Sequence, residues 1–177
     1  MSEPVTYTTA DLWDANSKKL RRVTSNFLDF GGNSHFHGPI RTVVTMEDTR
    51  LAQSLFRTDG CGAVIVLDGG ASSNTALLGD INAKILQENN WAGIVINGVV
   101  RDSAVLETLA IGIKALGTSP LRSGKTGIGA IDVPVAFGNV LLEPGQHIYC
   151  DPDGVLVSAQ ALPVPPVSTP NTYEPNT

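Results

Sequence analysis

Two short, almost wholly apolar runs, residues 63–67 and 92–97, constrain this chain more than any other feature. Each is closed by glycine, Asp68-Gly69-Gly70 after the first and Gly98 after the second, and each follows an amphipathic stretch. Apolar runs of this length between turn signals read as strands buried on both faces, the pattern of a parallel sheet covered by helices. Residues 40–46 read as a preceding strand and 49–57 as a helix, giving a βαβ unit. Ile81, Ile85 and Leu86 make the apolar face of a second helix. After the strand at 92–97 come a short helix carrying Val105, Leu106 and Leu109 and a strand at 113–117. From Val133 the texture changes to short β runs at 133–137, 140–142, 147–150 and 155–158. Glu143-Pro144-Gly145 and Asp151-Pro152-Asp153-Gly154 punctuate them as turns. The expectation is one α/β domain built from layers of sheet and helix, with a β-rich C-terminal half.

A chain of 177 residues with 42% hydrophobic content buries one continuous core without staples. The net charge is −5 and the twelve Lys and Arg residues are scattered, so there is no electrostatic footprint for nucleic acid. The longest apolar runs fall far short of the roughly 20 residues that cross a bilayer. Cys61 and Cys150 lie far apart in a sequence without a secretory leader, which suits reduced packing thiols in a cytoplasmic protein. Residues 163–177 hold five prolines among Ser, Thr and Asn, the composition of a disordered tail, so the folded domain is expected to span 1–162.

Two loops combine charge with glycine. Gly79-Asp80-Ile81-Asn82 opens a predicted helix, where Asp80 is an N-cap candidate and first-turn N–H groups can take a carboxylate ligand; an ordinary cap is the competing account. Gly98-Val99-Val100-Arg101-Asp102 follows a buried strand, where open α/β sheets bind ligands. Arginine offers a planar fork for a carboxylate, and an aspartate beside it can hold a divalent cation. A solvated Arg101, with Asp102 capping the next helix, is the alternative.

Weaker signals are His35 and His37, on one side of a possible strand, as metal ligands or as surface histidines. Gly127-Ile128-Gly129 lacks the acidic partner and third glycine of a dinucleotide loop. Lys114 as a Schiff-base lysine has no evident device to lower its pKa. Asp68 reads as a turn former before it reads as a ligand.

Residues 8–161 resemble the family of the regulator of ribonuclease activity A and the 4-hydroxy-4-methyl-2-oxoglutarate aldolases. The resemblance rests on Phe30-Gly31-Gly32, residues 66–70, Gly79-Asp80, residues 93–102 and residues 111–117. Aldolase-competent members resemble one another in an Asp, twenty intervening residues and an Arg-Asp pair; Asp80 and Arg101-Asp102 stand at that spacing. The resemblance implies a layered β/β/α, swivelling-domain-like fold. It also implies a metal-dependent class II lyase that cleaves 4-hydroxy-4-methyl-2-oxoglutarate or 4-carboxy-4-hydroxy-2-oxoadipate to pyruvate, with oxaloacetate decarboxylase activity. In that reading Asp102 holds Mg²⁺ or Mn²⁺, Arg101 and Asp80 are catalytic, and Gly79, Asp80, Ile81, Asn82 and Arg101 bind the 2-oxo acid. The family further implies a homotrimer or dimer of trimers. Its other named role is inhibition of a ribonuclease E-type endonuclease by protein binding. A third label attached to the family, menaquinone methyltransferase, finds no nucleotide loop here to support it.

Overall fold

The computed structural model describes residues 7–164. Alternation along the strands builds the layers, because successive side chains of a strand face opposite sides of its sheet. In β4 (Val64–Asp68) and β6 (Gly93–Val100), Ile65, Leu67, Ile94 and Ile96 face one core with Ala52, Leu55, Phe56, Ala83 and Leu86. These last residues belong to α2 (Arg50–Phe56) and α3 (Asp80–Glu88). Val64, Val66 and Val95 face the other way, into a second core with Ile148, Cys150, Val155 and Val157. Both faces of the parallel strands are therefore covered, and every residue of β6 is buried.

The second core lies between two sheet layers joined by one long strand, β3 (Phe36–Val44). Its first half pairs antiparallel with β11 (His147–Asp151), and its second half pairs parallel with β4. The parallel layer continues through β6 to β7 (Gly112–Thr118), with β2 (Leu28–Asp29) antiparallel at its edge. The antiparallel layer continues through β12 (Gly154–Ser158) to β1 (Leu20–Arg22). Outside it, α1 (Thr9–Asn16) closes a third cluster of Tyr7, Leu12, Leu20, Tyr149 and Leu156. The mixed α/β single domain and its layered β/β/α order agree with expectation.

The remaining elements are short: β5 (Ala76–Leu78) beside β6, α4 (Ser103–Leu106), β8 (Ala130–Ile131) beside β3, and the hairpin of β9 (Val135–Phe137) and β10 (Val140–Leu142). Several expectations need correction. The strand expected at 40–46 begins at Phe36 and ends at Val44, and β6 continues to Val100, so Gly98-Val99-Val100 is strand rather than loop. Ile81 is 69% exposed, off the buried face that Ala83 and Leu86 form. Val105 is likewise exposed, and Cys61 is an exposed thiol at positive φ rather than a packing residue, whereas Cys150 is buried. The tail expected from Pro163 lies outside the described residues except for Pro163 and Val164, and Val164 packs against the Tyr7 cluster. Among the described residues, no helix is long and apolar enough to cross a membrane.

Candidate functional site

The parallel register of β5 and β6 brings the two charged loops together. Leu78 ends β5 beside Val100 at the end of β6, and the Arg101 N–H donates to the Leu78 carbonyl at 2.9 Å. From these adjacent ends one strand turns through Gly79 into α3 and the other through Arg101 and Asp102 into α4. Both turns thus open at the carboxyl edge of a parallel sheet, the edge at which α/β folds bind ligands.

Close approach dictates the glycine. A Cβ on Gly79 would lie 2.8 Å from Asp102 Oδ2 and 3.0 Å from Arg101 Cγ, so any side chain there displaces the Arg-Asp pair. Asp102 adopts a left-handed conformation, φ 59° and ψ 34°, which Asp tolerates better than most residues. Its Oδ2 accepts from Arg101 Nε at 3.1 Å and, more loosely, from the Asp80 N–H at 3.5 Å. The helix start therefore differs from expectation: Gly79 is the N-cap and Asp80 the first helical residue, with no side-chain cap bond. Asp102 reaches across to satisfy a first-turn donor instead. Asp80 sits near the positive end of the helix dipole, its Oδ2 3.5 Å from Lys84 Nζ. Asp102 is also the N-cap residue of α4 but makes no side-chain cap bond there.

Gly79, Asp80, Ile81, Asn82, Arg101 and Asp102 all line one cleft of about 290 Å³. Arg57, Arg122 and Lys125 line the same cleft, together with Thr49, Gln53 and Ser123. Four cationic side chains (Arg57, Arg101, Arg122, Lys125) thus share the cleft with two carboxylates (Asp80, Asp102), in a chain of net charge −5. Such a cleft concentrates small anions.

Sequence reasoning missed these three basic residues. Arg122 and Lys125 ride on the segment after β7, where Arg122 bridges to Ala76 of β5 and further hydrogen bonds hold the chain. Ser119 Oγ donates to the Asn74 carbonyl at 2.7 Å, the Gly124 N–H to the Glu47 carbonyl at 2.7 Å, and Ser123 Oγ to Thr49 Oγ1 at 3.0 Å. Asp48, 3% exposed, accepts from the backbone of Arg50, Thr126 and Gly127 and from the Thr126 hydroxyl. Burial alone raises the Asp48 carboxyl pKa, but those hydrogen bonds outweigh it and hold the group below the usual carboxylate range. A depressed native pKa stabilises the fold above the unfolded value of about 3.9, and that contribution disappears as pH falls through the lower native value. Thermal melts from neutral pH down to about pH 3 should therefore show an acid-dependent loss that Asp48→Asn flattens, with Asp48→Asn the less stable protein at neutral pH. Parallel pH profiles for the two proteins would count against the assignment.

An RraA-like family model, described as aldolase/RraA, matches residues 9–157. The chain belongs to the RraA-like family. A relative from Alkalilimnicola ehrlichii, provisionally named 4-hydroxy-4-methyl-2-oxoglutarate aldolase, is 45% identical over 154 residues, covering 87% of this chain and 96% of its own. A solved structure from Geobacillus kaustophilus, titled S-adenosylmethionine:2-dimethylmenaquinone methyltransferase, superposes with a TM-score of 0.86 at 43% identity, covering 88% of this chain and 96% of that one. The RNA-processing inhibitor RraA from Thermus thermophilus superposes at 0.85 with 36% identity, covering 92% and 96%.

The other candidate residues of this RraA-like chain lie away from the cleft lining. Asp68 accepts from the Gly70 N–H at 3.0 Å and from Asn97 Nδ2 at 2.8 Å, a turn-forming carboxylate. Lys114 is buried, with Nζ 2.7 Å from Asp29 Oδ1, an ion pair rather than a free amine. Gly129, at φ 136°, lies so close to β3 that a Cβ would collide with the Val44 carbonyl, a packing reason for glycine that involves no phosphate. His35 immediately precedes β3, and His37 lies in the first half of β3, paired with β11 in the antiparallel layer.

Proposed function

We propose that the cleft is the active site of a divalent-metal-dependent lyase. It releases pyruvate from 4-hydroxy-4-methyl-2-oxoglutarate or 4-carboxy-4-hydroxy-2-oxoadipate and also decarboxylates oxaloacetate. The observation that carries this reading is the Arg101–Asp102 pair at 3.1 Å, set against the first turn of α3 in a cleft richer in cations than in carboxylates. The name of the Alkalilimnicola relative supports the lyase assignment.

The donor set suits Mg²⁺ or Mn²⁺. Among the described residues no three His, Cys, Asp or Glu side chains converge; of the two cleft carboxylates Asp102 would hold the cation, with water and substrate filling its other positions, and Asp80 is left for proton transfer. Hard cations that keep several waters are held in this way. When bound, the cation withdraws electron density from the 2-oxo group.

The residues divide the remaining work. Arg101 donates to the substrate carboxylate and carries positive charge toward the enolate oxygen that both reactions develop. The first-turn N–H groups of α3, at Ile81 and Asn82, face the same ligand end. Asp80 is the cleft carboxylate that takes the proton from the 4-hydroxyl as the C3–C4 bond breaks, freeing one 2-oxo acid and leaving the pyruvate enolate. Decarboxylation reaches the same enolate by loss of CO₂, and in both cases a proton, from Asp80 or from solvent, is added at C3 to give pyruvate. Arg122, Lys125 and Arg57 offer charge to the substrate's remaining carboxylate.

Purified protein should release pyruvate from oxaloacetate and from the aldol substrate with Mg²⁺ or Mn²⁺ and lose that activity in chelator, after subtraction of enzyme-free blanks with metal. No turnover above blanks would overturn the proposal. The likeness to the Thermus inhibitor supports a second role, protein-level inhibition of a ribonuclease E-type endonuclease. That role predicts a complex at micromolar protein whose affinity Arg101→Ala leaves unchanged. Assembly as a homotrimer or dimer of trimers in the cytoplasm completes the proposal, with exposed Ile81 and Leu121 beside the cleft as apolar surface for a neighbouring subunit.

A further inference from the structure

The protein has three histidines, and two of them meet across the antiparallel layer. His37 on β3 stands opposite Tyr149 on β11, and His147 stands opposite Pro39, two residues further along. His37 and His147 are therefore diagonal neighbours on one face, a relation in which long and aromatic side chains touch. His37 Nδ1 lies 3.1 Å from His147 Nε2. His37 is exposed to solvent and His147 partly so.

Aromatic packing holds both rings. Tyr149 stacks on His37 at 5.8 Å and 20° and lies 4.8 Å from His147, while Tyr7 meets His37 edge-on at 5.6 Å. Tyr7 is itself immobilised: its hydroxyl lies 2.9 and 2.8 Å from the Phe36 and Cys150 carbonyls, which share its single proton, and it accepts from the Cys150 N–H at 3.2 Å. The two imidazoles are thus kept side by side, joined by a hydrogen bond that a bound cation would replace.

We propose that His37 and His147 form a second cation site, for a borderline transition-metal ion such as Zn²⁺ or Ni²⁺, separate from the cleft. Metal–imidazole bonds are about 2.0–2.1 Å long, and two of them spanning 3.1 Å enclose an angle of about 98°, between square-planar and tetrahedral values. A small rotation of each ring turns the two nitrogens from each other toward a shared ion. Imidazole ligands select zinc, copper and nickel over Mg²⁺ and Mn²⁺, so the two sites divide the cations by chemistry. Among the described residues no third His, Cys, Asp or Glu joins them, so water fills the other positions and the affinity is micromolar rather than that of a closed structural site.

Isothermal titration of the intact protein with ZnCl₂, in millimolar Mg²⁺ to occupy the cleft, tests this. The expected result is one micromolar site per chain. It weakens about tenfold or more in His37→Gln and in His147→Gln and is unchanged in Cys61→Ser, the exposed thiol being the rival ligand. Circular dichroism of each variant checks folding. Zinc affinity that survives the double His37→Gln, His147→Gln substitution, or that follows Cys61→Ser instead, overturns the proposal.

Discussion

Arg101→Ala is expected to reduce metal-dependent pyruvate release by about a hundred- to a thousandfold, the range for loss of a donor that meets developing charge. The loss should fall on kcat as well as kcat/KM, because the guanidinium is asked to stabilise the enolate more than the bound ketone. Arg101→Lys should recover little, since one ammonium cannot reproduce the fork that reaches both Asp102 Oδ2 and a substrate carboxylate. Asp102→Asn should be comparably damaging and should also raise the Mg²⁺ concentration needed for half-maximal rate, a signature absent if Asp102 only tethers Arg101. The Arg101 and Asp102 side chains are 26% and 30% exposed, so these variants should keep the wild-type melting temperature within a few degrees. Full activity in Arg101→Ala would remove the cleft from the chemistry and leave protein binding as the function.

The largest loss of stability is expected from Asp29→Ala. Lys114 is 1% exposed in the middle of β7, and its ammonium is paired at 2.7 Å with a carboxylate on the edge strand β2. Removing Asp29 leaves an ammonium that is 1% exposed without its carboxylate, and breaking a buried pair from one side costs about 3–5 kcal/mol. Asp29 is itself 29% exposed, which places the expected value at the low end, about 3 kcal/mol. Urea denaturation should show this as a lower midpoint at constant slope. Adding Lys114→Met should recover most of the loss, because an apolar pair of similar volume needs no desolvation. If Asp29→Ala costs under about 1 kcal/mol, water reaches the lysine and the pair is a surface one.

The same contrast runs through the reading of the sequence. Strands buried on both faces, such as residues 64–68 and 93–100, announce themselves because every side chain in them is apolar. The edge elements Leu20–Arg22, Leu28–Asp29, Ala76–Leu78 and Ala130–Ile131 do not, since two or three residues carry no period and exist only because a neighbour offers hydrogen bonds. Ala76–Leu78 matters most among them, because its pairing with β6 is what sets Gly79 against Arg101 and Asp102. The other basic residues of the cleft were hidden for a related reason. Arg122 and Lys125 lie on an irregular segment whose position depends on buried Asp48, more than seventy residues earlier in the chain. Basic residues beside Ser and Gly at 122–125 were the available signal, and alone they do not say which way the segment faces.

By itself, then, the sequence marked the buried strands, the α/β class and the two charged loops, because apolar periodicity and glycine beside charge are local properties of the chain; the β/β/α order and the pairing of Asp80 with Arg101-Asp102 were implied by the family resemblance. Tertiary structure alone decided that Asp102 rather than Asp80 serves the start of α3, that Lys114 is an ion-paired core residue, and that His37 and His147 touch. Each of those relations joins side chains through strand pairing or side-chain packing. Which strand lies beside which is set by the burial of the whole chain, not by any window of it.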